Sequence, residues 1–388
     1  MTEPAVIHVL FLVFTGAAVL AALALLARQS LLVAYVIAGL LVGPEVLDLL
    51  PPSVNVRDIG QAGIIFLLFL LGLNLHPQKL SRLLGPATRV TGISALAVLL
   101  IITPVAMALD VGLGEAAFVG VALGFSSTII GLKLLPTTVL HHRHVGELII
   151  SILLLQDVIA IVMLLVVQIL GYGGSWTSAL LSAVGLPALA LFAWGFSRYC
   201  LIPVLARFDT IPEYLFLATI GWCLGAAQAA HLLGLSHEMG AFVAGVALAA
   251  HPVSTYIAEQ LKPLRDFFLI LFFFALGAEF PLSQLADVVL PSVVLAFVVM
   301  VIKPIIYSKL LIRSGEEPRL AREVGVRLGQ ASEFSLLLVV LAFEAAVVGE
   351  RVFLIVQGAT LITFVASSYY VMNRYPTPIA VNERLRQH

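Results

Sequence analysis

The sequence predicts an all-α integral membrane protein of about thirteen transmembrane helices, arranged as two inverted six-helix repeats joined by a linking helix. Three observations predict it. Of 388 residues, 61% are hydrophobic and only 11% are Asp, Glu, Lys or Arg, against roughly half and a quarter in soluble domains. Mean hydropathy is +1.09. Apolar stretches long enough to cross about 30 Å of hydrocarbon recur from end to end, without the alternating pattern of barrel strands. The third is an internal similarity at a near-constant offset, set out below.

Apolar runs between polar or Pro/Gly breaks place spans near 5–27, 31–48, 58–75, 88–109, 115–135, 148–170, 177–201, 212–231, 236–251, 264–280, 288–311, 324–346 and 351–373. The first run, Pro4 to Ala27, has no basic leader and no obvious small-residue cleavage site, so it reads as span 1 rather than a signal peptide. The whole of 1–388 reads as one transmembrane domain: repeat one over about 5–170, a linker helix over about 177–201 and repeat two over about 212–373.

Orientation follows from the basic residues, which concentrate in cytoplasmic connections. Seventeen of the twenty-one, from Arg28, Lys79, Arg82 and Arg89 through Lys133, Arg143 and Lys262 to Arg374, Arg384 and Arg386, fall on alternate connections and the C-terminal tail. Only Arg57 and Arg351 fall on the opposite ones, and Lys303 and Arg327 lie within spans. The N-terminus is therefore expected outside and the C-terminus in the cytoplasm. Dispersed basic residues and a net charge of −1 offer no stripe for nucleic acid. Cys200 and Cys223 sit in apolar runs without metal-ligand spacing and read as inert core residues.

The internal similarity supports inverted repeats. Ala34 to Gly39 (AYVIAG) resembles Gly240 to Gly245 (GAFVAG), and Phe66 to Leu73 (FLLFLLGL) resembles Leu271 to Ala278 (LFFFALGA). Gly39 and Gly72 are 33 residues apart, Gly245 and Gly277 are 32, and the offset between halves stays near 205. The same offset sets Gly124-Phe125-Ser126-Ser127-Thr128 in span 5 opposite Gly329-Gln330-Ala331-Ser332-Glu333 in span 12.

Polar residues deep in a span are costly and mark pathways. Asp157 lies ten residues beyond Glu147 in span 6, roughly 15 Å deep at 1.5 Å rise per residue. A carboxylate there binds either a proton or a monovalent cation, and competition at a site open to one side at a time yields exchange. The alternative is an Asp satisfied by hydroxyls that merely ties helices together. Gln156 beside it does not ionise, so one titratable group favours one-for-one, electroneutral exchange.

Spans 5 and 12 combine glycine with small hydroxyl residues, the composition of discontinuous helices. Freed carbonyls with Ser126, Ser127 and Thr128 are candidate cation ligands; helix packing is the other use of such hydroxyls. Glu333 reads either as a second pathway carboxylate or, the favoured reading, as partner to Arg327 or Lys303. Lys303, followed by Pro304, is expected to stabilise a neighbouring carboxylate when the site is empty, or else to snorkel inward. His141-His142-Arg143-His144 reads as a solvated basic loop. His237-Glu238 lacks the second histidine of a zinc-protease helix, and no nucleophile triad or phosphate loop stands out, so the chain is not read as an enzyme and no cofactor is expected.

These motifs together resemble the second monovalent cation:proton antiporter family, in particular the glutathione-gated potassium-efflux (Kef-type) antiporters. The resemblance spans nearly the whole chain and rests on Tyr35 to Gly39 with Gly43-Pro44, Leu71-Gly72-Leu73, Ser126-Ser127-Thr128, Gln156-Asp157, Gly240 to Gly245, Ile302-Lys303 and Gly329 to Phe334. It implies a sodium/proton-antiporter-like fold of thirteen helices, a dimerisation domain forming a homodimer, and a core in which broken helices 5 and 12 cross beside Asp157 and Lys303. Gln330 and Glu333 then belong to the pathway. The Gln-Asp pair resembles the potassium-handling branch, and potassium's weaker hydration suits one carboxylate among neutral oxygens. A sodium/proton antiporter of the same fold is the near alternative, and a gated cation channel or an ion sensor the distant ones.

Kef-type proteins continue into a cytoplasmic nucleotide-binding regulatory domain, which this chain does not contain. Its regulation is absent, comes from a separate cytoplasmic subunit, or belongs to a longer chain. Asn74 stands where the family tends to have Glu. A multi-pass location in the cell membrane, bacterial inner membrane by resemblance, is expected.

Overall fold

Long runs of Leu, Val, Ala and Phe must satisfy their own backbone in lipid, and helices do so within each segment. The computed structural model describes residues 5–27, 29–51, 56–74, 86–133, 144–171, 176–208, 211–249, 251 and 253–375. The regular elements among them are helices. Seven are long and apolar enough to cross a membrane, and shorter apolar helices include Leu31–Val42, Gly60–Leu73, Leu113–Ala122 and His237–Ala249. His141, His142 and Arg143, with Arg28, Lys79, Arg82, Arg384 and Arg386, lie outside the described residues.

The chain divides into two units. The first comprises Met1–Leu20, Tyr35–Ser81 and Gln168–Phe280. Within it run α1 (Ala5–Leu26, to Leu20), α2 (Leu31–Val42, from Tyr35), α3 (Val56–Asn74), α8 (Trp176–Phe196), α9 (Ile202–Arg207), α10 (Pro212–Leu232), α11 (His237–Ala249), α12 (Val253–Gln260) and α13 (Lys262–Ala278). A π-helical turn, Ser197–Leu201, joins α8 to α9. α12 was not expected: its polar sequence, VSTYIAEQ, reads as a connection.

Glycines set the helix contacts of this unit. A Cβ on Gly39 would collide with the Phe274 carbonyl, and one on Gly277 with the Val36 carbonyl. Likewise Gly72 meets the carbonyl of Phe242, and Gly245 that of Phe69. Backbones pack this closely only where side chains are absent. Around these contacts lie Phe69, Leu73, Trp222, Ala241 and Leu248 on one side and Val13, Ala38, Leu271 and Phe274 on the other.

The second unit comprises Ala21–Ala34, Arg82–Val167 and Pro281–His388. It holds α4 (Pro86–Met107), α5 (Leu113–Ala122), α6 (Thr128–Lys133), α7 (His144–Gly171, to Val167), α14 (Leu285–Arg313), α15 (Pro318–Arg327), α16 (Glu333–Glu344) and α17 (Glu350–Arg374). Spans 5 and 12 are thus each two helices, α5/α6 and α15/α16, interrupted as their Gly-Ser composition predicts. Val90, Ile149, Ile152, Leu153, Tyr307, Leu311 and Leu328 form a core within it. Gly325 and Gly329 close on Pro304 of α14, so the proline that follows Lys303 is held against α15.

The two cysteines differ. Cys223 is buried as expected, but Cys200 lies exposed in the π-helical turn.

Candidate functional site

Each interruption restarts its helix with a serine. The Ser127 hydroxyl accepts the Ile130 N–H at 3.1 Å, and the Ser332 hydroxyl accepts that of Phe334 at 3.1 Å, both as N-terminal caps. Backbone groups freed at one interruption are completed by the other. Ser127 N–H donates to the Ala331 carbonyl at 3.0 Å. The Ser126 hydroxyl donates to the Leu328 carbonyl at 2.8 Å, and reciprocally the Ser335 hydroxyl donates to the Ala122 carbonyl.

Lys303, fully buried on α14, lies where α5 and α15 both end. Its ammonium donates to the carbonyls of Phe125 at 2.6 Å, Gln330 at 2.7 Å and Leu123 at 3.5 Å. The expected carboxylate partner is therefore replaced by main-chain oxygens. Two helix C-termini present the negative ends of their dipoles here, together with carbonyls that have no partner in their own helix. Nor does the lysine snorkel.

Asp157 is the fourteenth residue of the 28-residue helix α7, at its midpoint. It is 9% exposed. The Thr128 hydroxyl donates to its Oδ1 at 3.4 Å, and the Glu333 carboxyl group is near enough to act on it electrostatically. Ser332 donates to Glu333 at 3.4 Å. The Arg327 guanidinium bridges Glu323 at 2.8 Å, one turn back on the same helix, and Lys303 is engaged by main-chain oxygens as above. An i,i+4 partner is already within reach of Arg327 when the helix forms.

Of the three span-5 hydroxyls, only Thr128 is directed to Asp157; those of Ser126 and Ser127 serve backbone groups. Gln156 also turns away. Its Oε1 accepts the Ser126 N–H at 3.1 Å, while its Nε2 donates to the Tyr307 hydroxyl and at 3.4 Å to the Gly124 carbonyl. Gln330 bridges further: Nε2 donates to the Ser127 carbonyl at 3.4 Å and Oε1 accepts from Ser367 at 3.2 Å. Thr363, also on α17, accepts the Ala331 N–H at 3.0 Å.

Sequence reasoning missed Tyr307, Thr363 and Ser367. The available signals were helical spacing, Tyr307 standing four residues beyond Lys303, and the polar repeat Gln357, Thr360, Thr363, Ser367 on one apolar helix.

The family described as "Sodium/hydrogen exchanger, transmembrane" matches residues 10–371. K(+) efflux antiporter 5 of Arabidopsis thaliana is 30% identical over 355 residues, covering 87% of this chain and 61% of that protein. The glutathione-regulated potassium-efflux system protein KefC of Klebsiella pneumoniae is 29% identical over 337 residues, covering 84% and 53%. The chain thus spans about half to three-fifths of the length of these relatives. Among solved structures, the sodium proton antiporter MjNhaP1 of Methanocaldococcus jannaschii aligns with a TM-score of 0.66 at 14% identity, over 95% of this chain and 97% of that one. With its all-helical, multi-pass fold, the chain belongs to the transmembrane sodium/hydrogen exchanger family, a family of transporters and not of enzymes.

Proposed function

We propose that this protein is a secondary antiporter that exchanges a monovalent cation, potassium before sodium, for protons by alternating access at Asp157. The observation that carries the reading is one buried carboxylate at the midpoint of α7, faced by Thr128 at an interrupted helix. In hydrocarbon such a group is kept for ion or proton traffic. A proton and a cation compete for it, so loading from one side by one expels the other to the opposite side. One carboxylate beside a non-ionising Gln156 makes the exchange one-for-one and electroneutral; Glu333 lends charge to the pathway.

Potassium is favoured by the names of the relatives, K(+) efflux antiporters of a plant and potassium-efflux proteins of bacteria. The sodium reading draws on the structural neighbour, a sodium proton antiporter. Thirteen spans in inverted repeats belong to the same proposal. The reciprocal glycine contacts support it, because a two-fold relation between halves maps the Gly39/Gly277 contact onto Gly245/Gly72. A homodimer in the cell membrane, the bacterial inner membrane for a Kef-like protein, with an outside N-terminus, a cytoplasmic C-terminus and a separate cytoplasmic regulatory subunit, belongs to the same proposal.

The test is proton flux in liposomes holding purified protein, on addition of potassium, sodium or choline chloride, for wild type and Asp157→Asn. Potassium-driven collapse of the pH gradient by wild type, with a silent variant, supports the reading. A response to sodium alone moves the protein to the sodium branch. A variant as active as wild type removes Asp157 from the mechanism, and flux that builds up a membrane potential removes electroneutrality.

A further inference from the structure

Resting on the reading of Asp157 as the shared site, we propose that Tyr307 is a positioning residue for cation selection, orienting the Gln156 amide that fastens the span-5 interruption beside Asp157.

Tyr307 is 1% exposed and lies one turn beyond Lys303 on α14. Its hydroxyl accepts from Gln156 Nε2, and the hydroxyls of Ser94 on α4 and Ser126 reach the same oxygen. Those two serines have spent their own protons, Ser94 on the Thr91 carbonyl at 2.9 Å and Ser126 on the Leu328 carbonyl at 2.8 Å. Their oxygens are therefore acceptors, and the single phenol proton goes to one or the other of them. That leaves the phenol oxygen to accept from Gln156, so the network runs in one direction, from amide to phenol to serine to main chain.

The direction matters because a side-chain amide has two nearly isosteric ends. With Nε2 anchored on the phenol, Oε1 faces the Ser126 N–H, and the amide replaces the peptide partners that the interruption takes from Ser126 and Gly124. Flipped, Nε2 would face the Ser126 N–H, donor against donor, in a buried site where an unmade hydrogen bond is costly. Without the phenol oxygen, half of the reason for the native orientation is lost. The loop from Gly124 to Thr128 then holds the Thr128 hydroxyl less firmly against Asp157. Cations differ in the oxygen spacing they demand, so a looser set discriminates less.

The experiment is cation-driven proton flux in liposomes for wild type, Tyr307→Phe and Asp157→Asn, with potassium and sodium titrated separately. Thermal unfolding in detergent is measured alongside. Tyr307→Phe is expected to raise the KM of the preferred cation about fivefold or more and move the potassium-to-sodium KM ratio toward one, while the maximal rate stays within about twofold. A role in folding alone would lower the melting temperature and leave the ratio unchanged. If Asp157→Asn is silent and Tyr307→Phe keeps the wild-type KM values and ratio, this inference is overturned and the Asp157 reading stands. If Asp157→Asn exchanges as wild type does, the underlying reading fails first. Should Tyr307→Phe not fold, Ser94→Ala, which removes an acceptor of the phenol proton, is expected to shift the ratio in the same direction by about twofold. An unchanged ratio there overturns the inference equally.

Discussion

Ser127 and Ala331 share a main-chain hydrogen bond of 3.0 Å that joins the two helix interruptions. Neither interruption is complete alone. The Ser126 and Ser335 hydroxyls repeat the exchange, each giving its proton to the end of the opposite broken helix.

Ser126→Ala and Ser335→Ala are each expected to cost about 1–2 kcal/mol, the loss of one buried hydrogen bond and the stranding of a carbonyl. Because both act on one crossing, the double variant should depart from additivity by at least about 0.5 kcal/mol. Denaturation of the four proteins in one detergent checks both statements. Strict additivity would mean that the interruptions form independently.

Lys303→Met is expected to destabilise the protein by about 3 kcal/mol or more, since it strands the carbonyls of Phe125 and Gln330 and leaves two helix ends without their counter-charge. A melting temperature equal to that of wild type would show that water takes the place of the ammonium at no cost.

Proton and cation compete for one carboxylate in the proposed cycle, so lowering the pH must raise the KM for the cation. On the acid side the rise should be about tenfold per pH unit, with the maximal rate little changed by competition itself. The sign is fixed: more protons occupy the carboxylate, so more cation is needed to displace them. Flux titrations between about pH 6 and pH 9 test this, and a KM independent of pH would require separate sites.

Gly245→Ala should destabilise by about 2 kcal/mol or more, because its methyl group would enter the Phe69 carbonyl, a main-chain atom without room to yield. Gly221→Ala meets nothing within 4 Å and should be neutral or stabilising by up to about 1 kcal/mol, since alanine favours a helix over glycine. Comparison of the two melting curves separates packing from propensity.

The midplane Asp157 is legible in the sequence because a carboxylate in a long apolar run has few other reasons to be there. The interruptions are legible because glycine followed by serines both breaks a helix and caps the next. What each hydroxyl does is not legible. Ser126, Ser127 and Thr128 are adjacent in sequence yet face a carbonyl, an N–H and Asp157, since an interrupted backbone follows no regular period. The partners of Lys303 are hidden for a related reason: they are main-chain oxygens, which composition does not reveal. Tyr307 reads as packing until its neighbours' protons are traced.

The paired glycines have a consequence for how freely this protein can change. A contact made of backbone on backbone carries no record of side-chain identity, so the apolar faces around it are open to drift as long as the chain stays greasy. In a saturation scan Gly39, Gly72, Gly245 and Gly277 should appear as four narrow columns of intolerance within broadly permissive helices. An engineer seeking a more soluble or more crystallisable variant would have the outer faces of those helices to work with and would leave the four columns alone.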